Sequence, residues 1–327
     1  MNIEIQAIHT IEEQENIAVD EMLEAIARAL TAAYYEYKEL PENNQIRVRT
    51  EIDSETGEVI VWRTNDAGEE YDDTPLHFEV VGASAVREAI LRKLREADTR
   101  RAFDDYADIQ GQVVSGIVQA DAIAAENGIV VVRLGTEFDG RDGILLPAEQ
   151  VPNEKLKHGD RVRVYVVEVN QNPRNLQILL SRTHPEMIQK LFELEVPEVA
   201  DGSVEIVHIA REAGNRSKVA VKPTVKGLNA KGACIGPRGQ RVSAIMRELK
   251  GEKMDIIDYS DSPTTYIRNA LAPAKVLNVE VTNEETLEAR VTVPDYQLSL
   301  AIGKEGQNVR LAARLTGWKI DIHSDAE

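Results

Sequence analysis

The chain has 327 residues, a net charge of −18 and 43% hydrophobic residues, a composition that suits two to four globular domains. It has no run of 18 apolar residues, and its N-terminus lacks the order of a signal peptide. A single cysteine excludes an internal disulfide, and the six histidines are too scattered for metal-ligand spacing. We therefore expect a cytoplasmic protein with no membrane segment, metal or other cofactor.

The acidic excess is concentrated at the N-terminus. Residues 1–107 hold 25 acidic and 11 basic side chains, a balance of −14. By contrast, residues 211–253 hold 11 Lys and Arg against 3 acidic side chains, a balance of +8. A local positive field of this kind can attract phosphates even in an acidic protein, so nucleic acid remains a candidate partner.

The N-terminal segment predicts an α/β domain. An amphipathic helix is expected to begin with Asp20 as its cap, since apolar residues recur from Met22 to Tyr34 at helical spacing. Residues 45–53 and 58–64 alternate polar and apolar side chains around a turn, which predicts a hairpin. A second, charged helix follows to about Tyr106. The acidic stretch 65–75 is either a solvated loop or a docking surface for a basic partner.

Five short β-rich runs follow in about 75 residues, which predicts a small barrel of the OB type. The runs are 111–119, 128–135, 143–150, 161–169 and 176–182. Such barrels bind single strands by stacking bases on aromatic rings above a basic groove. Only Phe138 and Tyr165 are available for stacking, so a spacer role and RNA binding both remain open. The basic residues that favour binding are Arg133, Arg141, Lys155, Arg161 and Arg163.

A helical connector, 184–202, leads into an internal repeat. The frame Ile-Gly-x-x-Gly begins at Ile235 and again at Ile302, and each copy follows two strand-like runs. The repeated unit is therefore strand, strand, glycine loop, helix, strand. We call the loop Gly236–Gly239 the GPRG loop and the loop Gly303–Gly306 the GKEG loop. A short connection, 270–276, is expected to join the two units into one surface.

Each glycine loop is expected at a helix N-terminus, where free N–H groups and the helix dipole favour a phosphate. In the GPRG loop, Arg238 and Arg241 add positive charge. The GKEG loop is less basic because Glu305 follows Lys304, although Asn308 and Arg310 can compensate. Two such loops in the same context indicate KH domains, in which a GXXG loop clamps the backbone of a short single strand.

Other chemistry at these loops is not supported by the motifs. Neither loop contains the G-x-x-x-x-G-K-[ST] pattern of a Walker loop or the G-x-G-x-x-G pattern of a dinucleotide site. Cys234, beside the GPRG loop, has no histidine near it in sequence and is expected in the core rather than as a nucleophile. We expect no catalytic residues.

Several long strings resemble the NusA family of bacterial transcription termination and antitermination factors, in the style of its actinobacterial branch. They include SRTHPEM, LFELEVPEVADGSVEI, AREAGNRSKVAV, GACIGPRGQRV, GEKMDIIDY and LAIGKEGQNVRLAARLTGWKIDI, and they cover about Ser181 to Ile322. The barrel matches in layout, of the ribosomal S-one type, and the first hundred residues match loosely. The resemblance implies a multidomain α+β protein with an N-terminal α/β domain, an OB barrel and two tandem type II KH domains.

The domain boundaries expected from this order are 1–107 for RNA polymerase binding, 108–183 for the barrel, 184–260 for the first KH domain and 261–327 for the second. The resemblance implies a non-enzymatic elongation factor that binds RNA polymerase and nascent RNA and modulates pausing, intrinsic termination and antitermination. Other elongation factors are further expected partners, and we expect a monomer. An RNA chaperone or ribosome-assembly protein is the alternative. Because no acidic repeats follow Glu327, we expect no self-inhibition by such a tail.

The expected RNA-contact residues lie in and beside the two loops. From the family pattern and the local charge they are Lys231, Gly236, Pro237, Arg238, Gly239, Arg241, Gly303, Lys304, Glu305, Gly306, Gln307, Asn308 and Arg310. We expect the GPRG loop to be the stronger electrostatic half of the pair.

Overall fold

The computed structural model describes residues 1–40, 47–65, 67–136, 139–152, 154–172 and 175–326. It divides into two compact units, Met1–Asp108 with Asn170–Leu176, and Ile109–Val169 with Gln177–Glu327.

The first unit packs helices against a three-stranded antiparallel sheet of order β1-β2-β3. Its elements are α1 (Ile5–Glu15), α2 (Val19–Tyr37), β1 (Val48–Ile52), β2 (Val59–Thr64), β3 (Glu70–Asp72) and α3 (Phe78–Ala107). Met22, Ile26, Leu30 and Tyr34 form the buried face of α2, as the helical spacing predicted. Across the described chain, no helix is both long and apolar enough to cross a membrane.

Two details of this unit differ from the sequence prediction. Helix α2 begins two residues earlier than expected, because Ala18 and not Asp20 is its N-cap, and Asp20 lies in its first turn. An acidic residue in the first turn interacts favourably with the positive N-terminal end of the helix dipole, although it does not cap the helix. Helix α1 was not predicted, since its apolar residues are few and only Ile8 is buried.

The acidic stretch 65–75 is partly built into the sheet. Its residues Glu70–Asp72 form β3, and Glu70 makes an ion pair with Arg49 at 2.9 Å. Asp73 accepts a hydrogen bond from Tyr34, and Lys38 lies 3.4 Å from its carboxylate. Asp66, which belongs to the same stretch, lies outside the described residues. The stretch is therefore not a loop throughout, but its strand Glu70–Asp72 is exposed to solvent, and a docking surface for a basic partner stays a prediction.

The predicted barrel is confirmed. Its strands close in the order β4-β5-β6-β8-β7, with β6 and β8 parallel. They are β4 (Val113–Gln119), β5 (Val130–Leu134), β6 (Arg141–Leu145), β7 (Arg161–Asn172) and β8 (Asn175–Ser181), with a short helix α4 (Ala122–Glu126) between β4 and β5. Along β7, Val162, Val164 and Val166 are buried, whereas Arg161 and Arg163 point outward, as the two-residue period of a strand requires.

Two repeats of the same architecture follow, each with a three-stranded sheet. The first repeat consists of α5 (Pro185–Glu195), α6 (Pro197–Ala200), β9 (Val204–Glu212), β10 (Arg216–Pro223), α7 (Ala230–Ile235), α8 (Gln240–Glu248) and β11 (Lys253–Asp258). The second repeat consists of α9 (Pro263–Ala270), β12 (Asn278–Asn283), β13 (Glu288–Val293), α10 (Leu298–Ile302), α11 (Gln307–Thr316) and β14 (Lys319–Ser324).

The sheets of the two repeats have one topology. The middle strand, β10 or β13, pairs antiparallel with the strand before it and parallel with the last strand. The predicted order of strand, strand, loop, helix, strand is thus confirmed, with one addition. A short helix, α7 or α10, precedes each glycine loop, so the loop joins two helices instead of simply opening one.

The two repeats share a hydrophobic core. Ala210, Ala220 and Ile257 from the first sheet pack in one buried cluster with Tyr266 and Leu311 of the second repeat. The buried amine of Lys218 reaches across as well, donating to the backbone carbonyl of Ala272 at 2.8 Å and to Asp255 at 3.1 Å. Burial lowers the pKa of Lys218, and the Asp255 carboxylate opposes that shift. The connection between the repeats is therefore packed against them.

Candidate nucleic-acid interface

The GPRG loop is a tight backbone turn between α7 and α8. Gly236 has φ 74° and ψ 172°, Arg238 has φ 55° and ψ 24°, and Gly239 has φ 74° and ψ 17°. The amide of Gly239 donates to the carbonyl of Gly236 at 3.0 Å, which closes the turn. Three of the four loop residues thus have positive φ, a conformation that residues with a β-carbon seldom adopt.

The GKEG loop has nearly the same backbone. Gly303 has φ 79° and ψ 170°, Glu305 has φ 53° and ψ 29°, and Gly306 has φ 73° and ψ 14°. Its closing bond, from the amide of Gly306 to the carbonyl of Gly303, is 3.1 Å long. Each angle lies within a few degrees of its counterpart, so the repeat seen in the sequence is also a repeat of local geometry.

The two glycines of each loop are needed for different reasons. A β-carbon on Gly236 would lie 2.6 Å from Cγ of Arg241, and one on Gly303 would lie 2.7 Å from the backbone nitrogen of Asn308. A β-carbon on Gly239 would lie 3.9 Å from its nearest neighbour, and one on Gly306 would meet nothing within 4 Å. The first glycine allows close packing inside the protein, and the second leaves the outer side of the loop open to another chain.

The residue five positions after the first glycine supports each loop from behind. In the first repeat, Arg241 donates to the carbonyl of Ala233 at 2.7 Å and to Glu198 at 2.8 Å. In the second repeat, buried Asn308 donates to the carbonyls of Leu271 and Ala301, each at 3.0 Å. These two predicted RNA-contact residues are therefore occupied by partners within the protein.

The loop tips are the exposed part of the predicted set. Pro237, Arg238, Lys304 and Glu305 are all exposed, and Lys231 on α7 is half-buried. Within the described chain, Arg238 has no ion-pair partner. The GPRG tip thus presents an uncompensated positive charge, whereas the charges of the GKEG tip cancel. Beside the GPRG loop, Cys234 is buried as expected, and burial raises the pKa of its thiol to about 11.

Glu212, at the end of β9, connects the first repeat to the GKEG side of the second. Its carboxylate accepts from Arg310 at 2.7 Å and from Gln307 at 2.9 Å, and Arg314 lies 4.0 Å away. Arg310 also donates to the loop carbonyl of Glu305 at 3.0 Å. The hydrogen bond from Arg310 is the main cause that lowers the pKa of Glu212. The predicted residues Gln307 and Arg310 therefore lie at the contact between repeats.

Buried arginines fasten the barrel to the first repeat. Arg182 is fully buried and makes a two-pronged pair with Glu154 at 2.7 and 2.8 Å. It also donates to the carbonyl of Glu248 at 3.0 Å. Nearby, Arg211 pairs with fully buried Glu252 at 2.9 and 3.0 Å and donates to the carbonyl of Arg182. Charge-assisted bonds with such geometry hold the two parts in a defined arrangement.

The predicted aromatic platform of the barrel is largely used within the protein. The ring of Tyr165 stacks on His184, with centroids 4.7 Å apart and planes 11° from parallel. Tyr165 also packs against the core of the first repeat. Phe138, the other predicted aromatic, lies outside the described residues. Tyr165 is thus used within the protein, and both the spacer role and RNA binding by the barrel stay predictions.

Sequence reasoning did not find Glu212, Glu198 or Glu154 as partners of the site. Glu212 lies 95 residues from Gln307 and 98 from Arg310, so no local spacing could relate them. The same is true of Arg182 and Glu248, which are 66 residues apart.

Known proteins match the chain along its whole length. Family models match as the NusA N-terminal domain over residues 5–127, the NusA-like first KH domain over 182–259 and the NusA-like second KH domain over 263–327. Three relatives carry the name transcription termination/antitermination protein NusA. That of Mycobacterium tuberculosis is 53% identical over 100% of this chain and 94% of its own length. That of Bacillus subtilis is 39% identical over 99% and 91%.

The relative from Thermus thermophilus is 37% identical over 98% of this chain and 88% of its own length. All three alignments run through the first unit, the barrel and both glycine loops, so the likeness is not confined to one domain. The chain belongs to the NusA family.

Proposed function

We propose that this protein is an RNA-binding transcription elongation factor that associates with RNA polymerase and emerging RNA to modulate pausing, intrinsic termination and antitermination. The observation that carries the proposal is the pair of GXXG loops with matching backbone, held in one compact unit. KH loops of this kind clamp the backbone of single-stranded nucleic acid. The names of the relatives supply the setting of transcription termination and antitermination.

In this mechanism the two loops act as joined clamps on one strand. The open side of Gly239 and Gly306 admits the RNA backbone, with Arg238, Lys231 and Lys304 attracting its phosphates. Because the repeats share a core, binding at one loop places the strand near the other at high effective concentration. We assign a supporting role to Arg241 and Asn308, which shape the loops, and to Gln307 and Arg310, which orient the second repeat.

The loop test uses the double variant Gly239→Asp with Gly306→Asp. Both positions have positive φ and open space around the missing β-carbon, and aspartate tolerates this backbone better than most residues. We expect a folded protein whose affinity for single-stranded RNA falls about tenfold or more, because charge-assisted contacts are lost. Fluorescence anisotropy with labelled RNA measures the change.

The matched control is Gly159→Asp with Gly202→Asp. These glycines also have positive φ, 87° and 78°, and a β-carbon added at either would meet nothing within 4 Å. Neither belongs to a glycine loop. The control adds the same two charges and should bind RNA as the wild type does. Full RNA affinity in the folded loop variant would overturn the clamp.

The polymerase association is tested separately. RNA polymerase is captured with the tagged protein from a lysate treated with nuclease, using the wild type and the loop variant. We expect both to retain the polymerase, because the first unit is proposed to dock it without RNA. If the protein binds RNA but captures no polymerase, the result would instead support an RNA chaperone or ribosome-assembly protein. We further propose that the factor acts in the cytoplasm and has no catalytic step of its own.

A further inference from the structure

The sheet of the first repeat has an outer face that the second repeat covers, and we call it the first outer face. Its central residues are Ala210 on β9, Lys218 and Ala220 on β10, and Asp255 and Ile257 on β11. Helices α9 and α11 pack on it with Tyr266 and Leu311. Lys218 donates to the carbonyl of Ala272, two residues beyond the end of α9. This face therefore holds the C-terminal end of a helix.

The second repeat has the equivalent face, and we call it the second outer face. The last strand of each repeat begins with the pattern Lys-x-Asp, at 253–255 and at 319–321, which aligns the two sheets. Ala210, Lys218 and Asp255 lie side by side in the first sheet, and Glu280, Arg290 and Asp321 lie side by side in the second. Further along the strands, Ala220 and Ile257 correspond to Thr292 and His323. A cation thus lies at the centre of each face.

The second outer face differs from the first because it is uncovered and polar. Glu280, Arg290 and Asp321 are exposed, whereas Lys218 and its neighbour Ala210 are buried. A pocket of about 430 Å³ lies on the second outer face and is lined by residues of all three strands. The repeat that covers a sheet face in one half of the tandem thus has no counterpart, within the described residues, in the other half.

Arg290 is the cation of this face that the protein itself leaves unpaired. Lys319 lies 3.2 Å from Glu288, and His323 lies 2.7 Å from Asp321. Among the residues that the structure describes, neither Arg290 nor its neighbour Glu280 makes an ion pair. The guanidinium group of Arg290 therefore keeps its donors for a ligand, at the position from which the first outer face donates to a carbonyl.

The C-terminal end of a helix matches this arrangement of charges. Its last carbonyls have no partners within the helix and form the negative end of the dipole, so they can accept from Arg290. Lys and Arg are favourable in the last turn of a helix and would pair with Glu280 and Asp321. Helix α9 has this chemistry, with Arg268 in its last turn. A second copy of the chain cannot offer α9, because its own first repeat covers that helix.

We infer that the second outer face docks a helix of a partner protein by its C-terminal end, with Lys or Arg in the last turn of that helix. The inference is independent of the proposed RNA contacts, which use the glycine loops. Permanent interfaces are more hydrophobic than those that form and dissociate. Because Thr292 and His323 replace buried Ala220 and Ile257, docking here is reversible, whereas the second repeat packs permanently on the first.

The probe is a synthetic helix of about 16 alanine-rich residues, amidated at its C-terminus, with two arginines in its last turn. The control helix has the same composition, with the two arginines in its first turn. Each is titrated into the isotope-labelled full chain, and the backbone amide shifts are followed by nuclear magnetic resonance. We expect the probe to shift amides of β12, β13 and β14. It should bind about tenfold more tightly than the control helix, as one charge-assisted hydrogen bond allows.

The variant Arg290→Thr with Asp321→Asn removes one cation and one carboxylate, so the net charge stays the same. Its control, Lys222→Thr with Glu205→Gln, removes an exposed pair from neighbouring strands of the first repeat. We expect the Arg290 variant to bind the probe about tenfold more weakly and the control to bind it as the wild type does. The Arg290 variant should keep its affinity for single-stranded RNA, which separates this inference from the clamp.

Three results would overturn the inference: no shift on the second outer face, equal binding of the two helices, or full affinity in the Arg290 variant. Single-stranded RNA that shifts the same amides would assign the face to RNA instead. Sedimentation that shows self-association of the wild type but not of the variant would make a second copy the occupant and overturn the partner helix. Should the double variant melt early, Arg290→Thr alone, at an exposed strand position, repeats the test.

Discussion

At the scale of single residues, the two glycines of a GXXG loop have separate tasks. The first has a φ and ψ pair, 74° and 172° at Gly236, that only glycine adopts readily. The second, at Gly239, lies in the left-handed helical region, which other residues enter at a cost of about 1–2 kcal/mol. The fold thus depends on the first glycine more than on the second, whereas the proposed RNA contact depends on the second.

This difference predicts unequal effects of alanine on stability. Gly239→Ala should lower the free energy of unfolding by about 1–2 kcal/mol. Gly236→Ala should cost more, because its β-carbon would also overlap Cγ of Arg241 at 2.6 Å. Chemical denaturation of the two variants measures the difference. The same ranking is expected for Gly303 over Gly306, and an equal or reversed ranking in both loops would contradict the division of tasks.

At the scale of elements, the end of β9 and the helix α11 are tied through one carboxylate. Glu212 holds Arg310, which in turn donates to the GKEG loop. These hydrogen bonds connect the sheet of the first repeat to the GKEG loop of the second. The relative position of the two loops depends on this contact as well as on the shared core.

The tie predicts a pH dependence that the Glu212→Gln variant lacks. The pKa of Glu212 is lower in the folded protein than in the unfolded chain, so its stabilisation is complete above the unfolded value of about 4.3. It is lost as the pH falls through the lowered folded pKa. We expect the variant to melt about 2–4 °C lower at pH 7, with the gap closing in acid. Melting curves of both proteins from pH 7 to 3 test this, and a gap that does not narrow as the pH falls would refute the assignment.

At the scale of the whole molecule, the second unit is assembled through buried ion pairs as well as apolar cores. Arg182 joins the barrel to the first repeat, and Lys218 joins the first repeat to the chain that precedes β12. Charged groups without access to water are costly unless each has its partner. These buried pairs therefore specify one arrangement of the barrel and the two repeats, whereas a purely apolar interface would tolerate several.

The variant Arg182→Met should show the cost of leaving Glu154 unpaired. Removing one partner of a buried pair typically destabilises a protein by about 3–5 kcal/mol, and the loss should appear in the barrel and first repeat together. The control Lys319→Met breaks the exposed pair with Glu288, for which about 0–1 kcal/mol is expected. Hydrogen exchange locates the loss. A cost as small as that of the control would show that the seam is held by apolar contacts alone.

Much of this architecture follows from local sequence patterns, and the remainder depends on long-range contacts. The hairpin of β1 and β2, the five barrel strands and the repeated unit were predicted because their periodicity is visible within one segment. Helices α7 and α10 were missed because they have 6 and 5 residues, too few to show a helical period. The hydrogen bonds of Arg241 and Asn308 to groups inside the protein could not be predicted, since their partners include Glu198 and Leu271, which are more than 30 residues away in sequence.

The shared backbone of the two loops has a practical consequence for engineering. Arg238 and Glu305 occupy equivalent positions with φ of 55° and 53°, yet their charges are opposite. The backbone of the loop therefore has the same conformation whether the side chain at its tip is positively or negatively charged. If the loops bind RNA as proposed, exchanging that one residue between them would reverse which loop binds the strand more tightly and would leave the net charge of the protein unchanged.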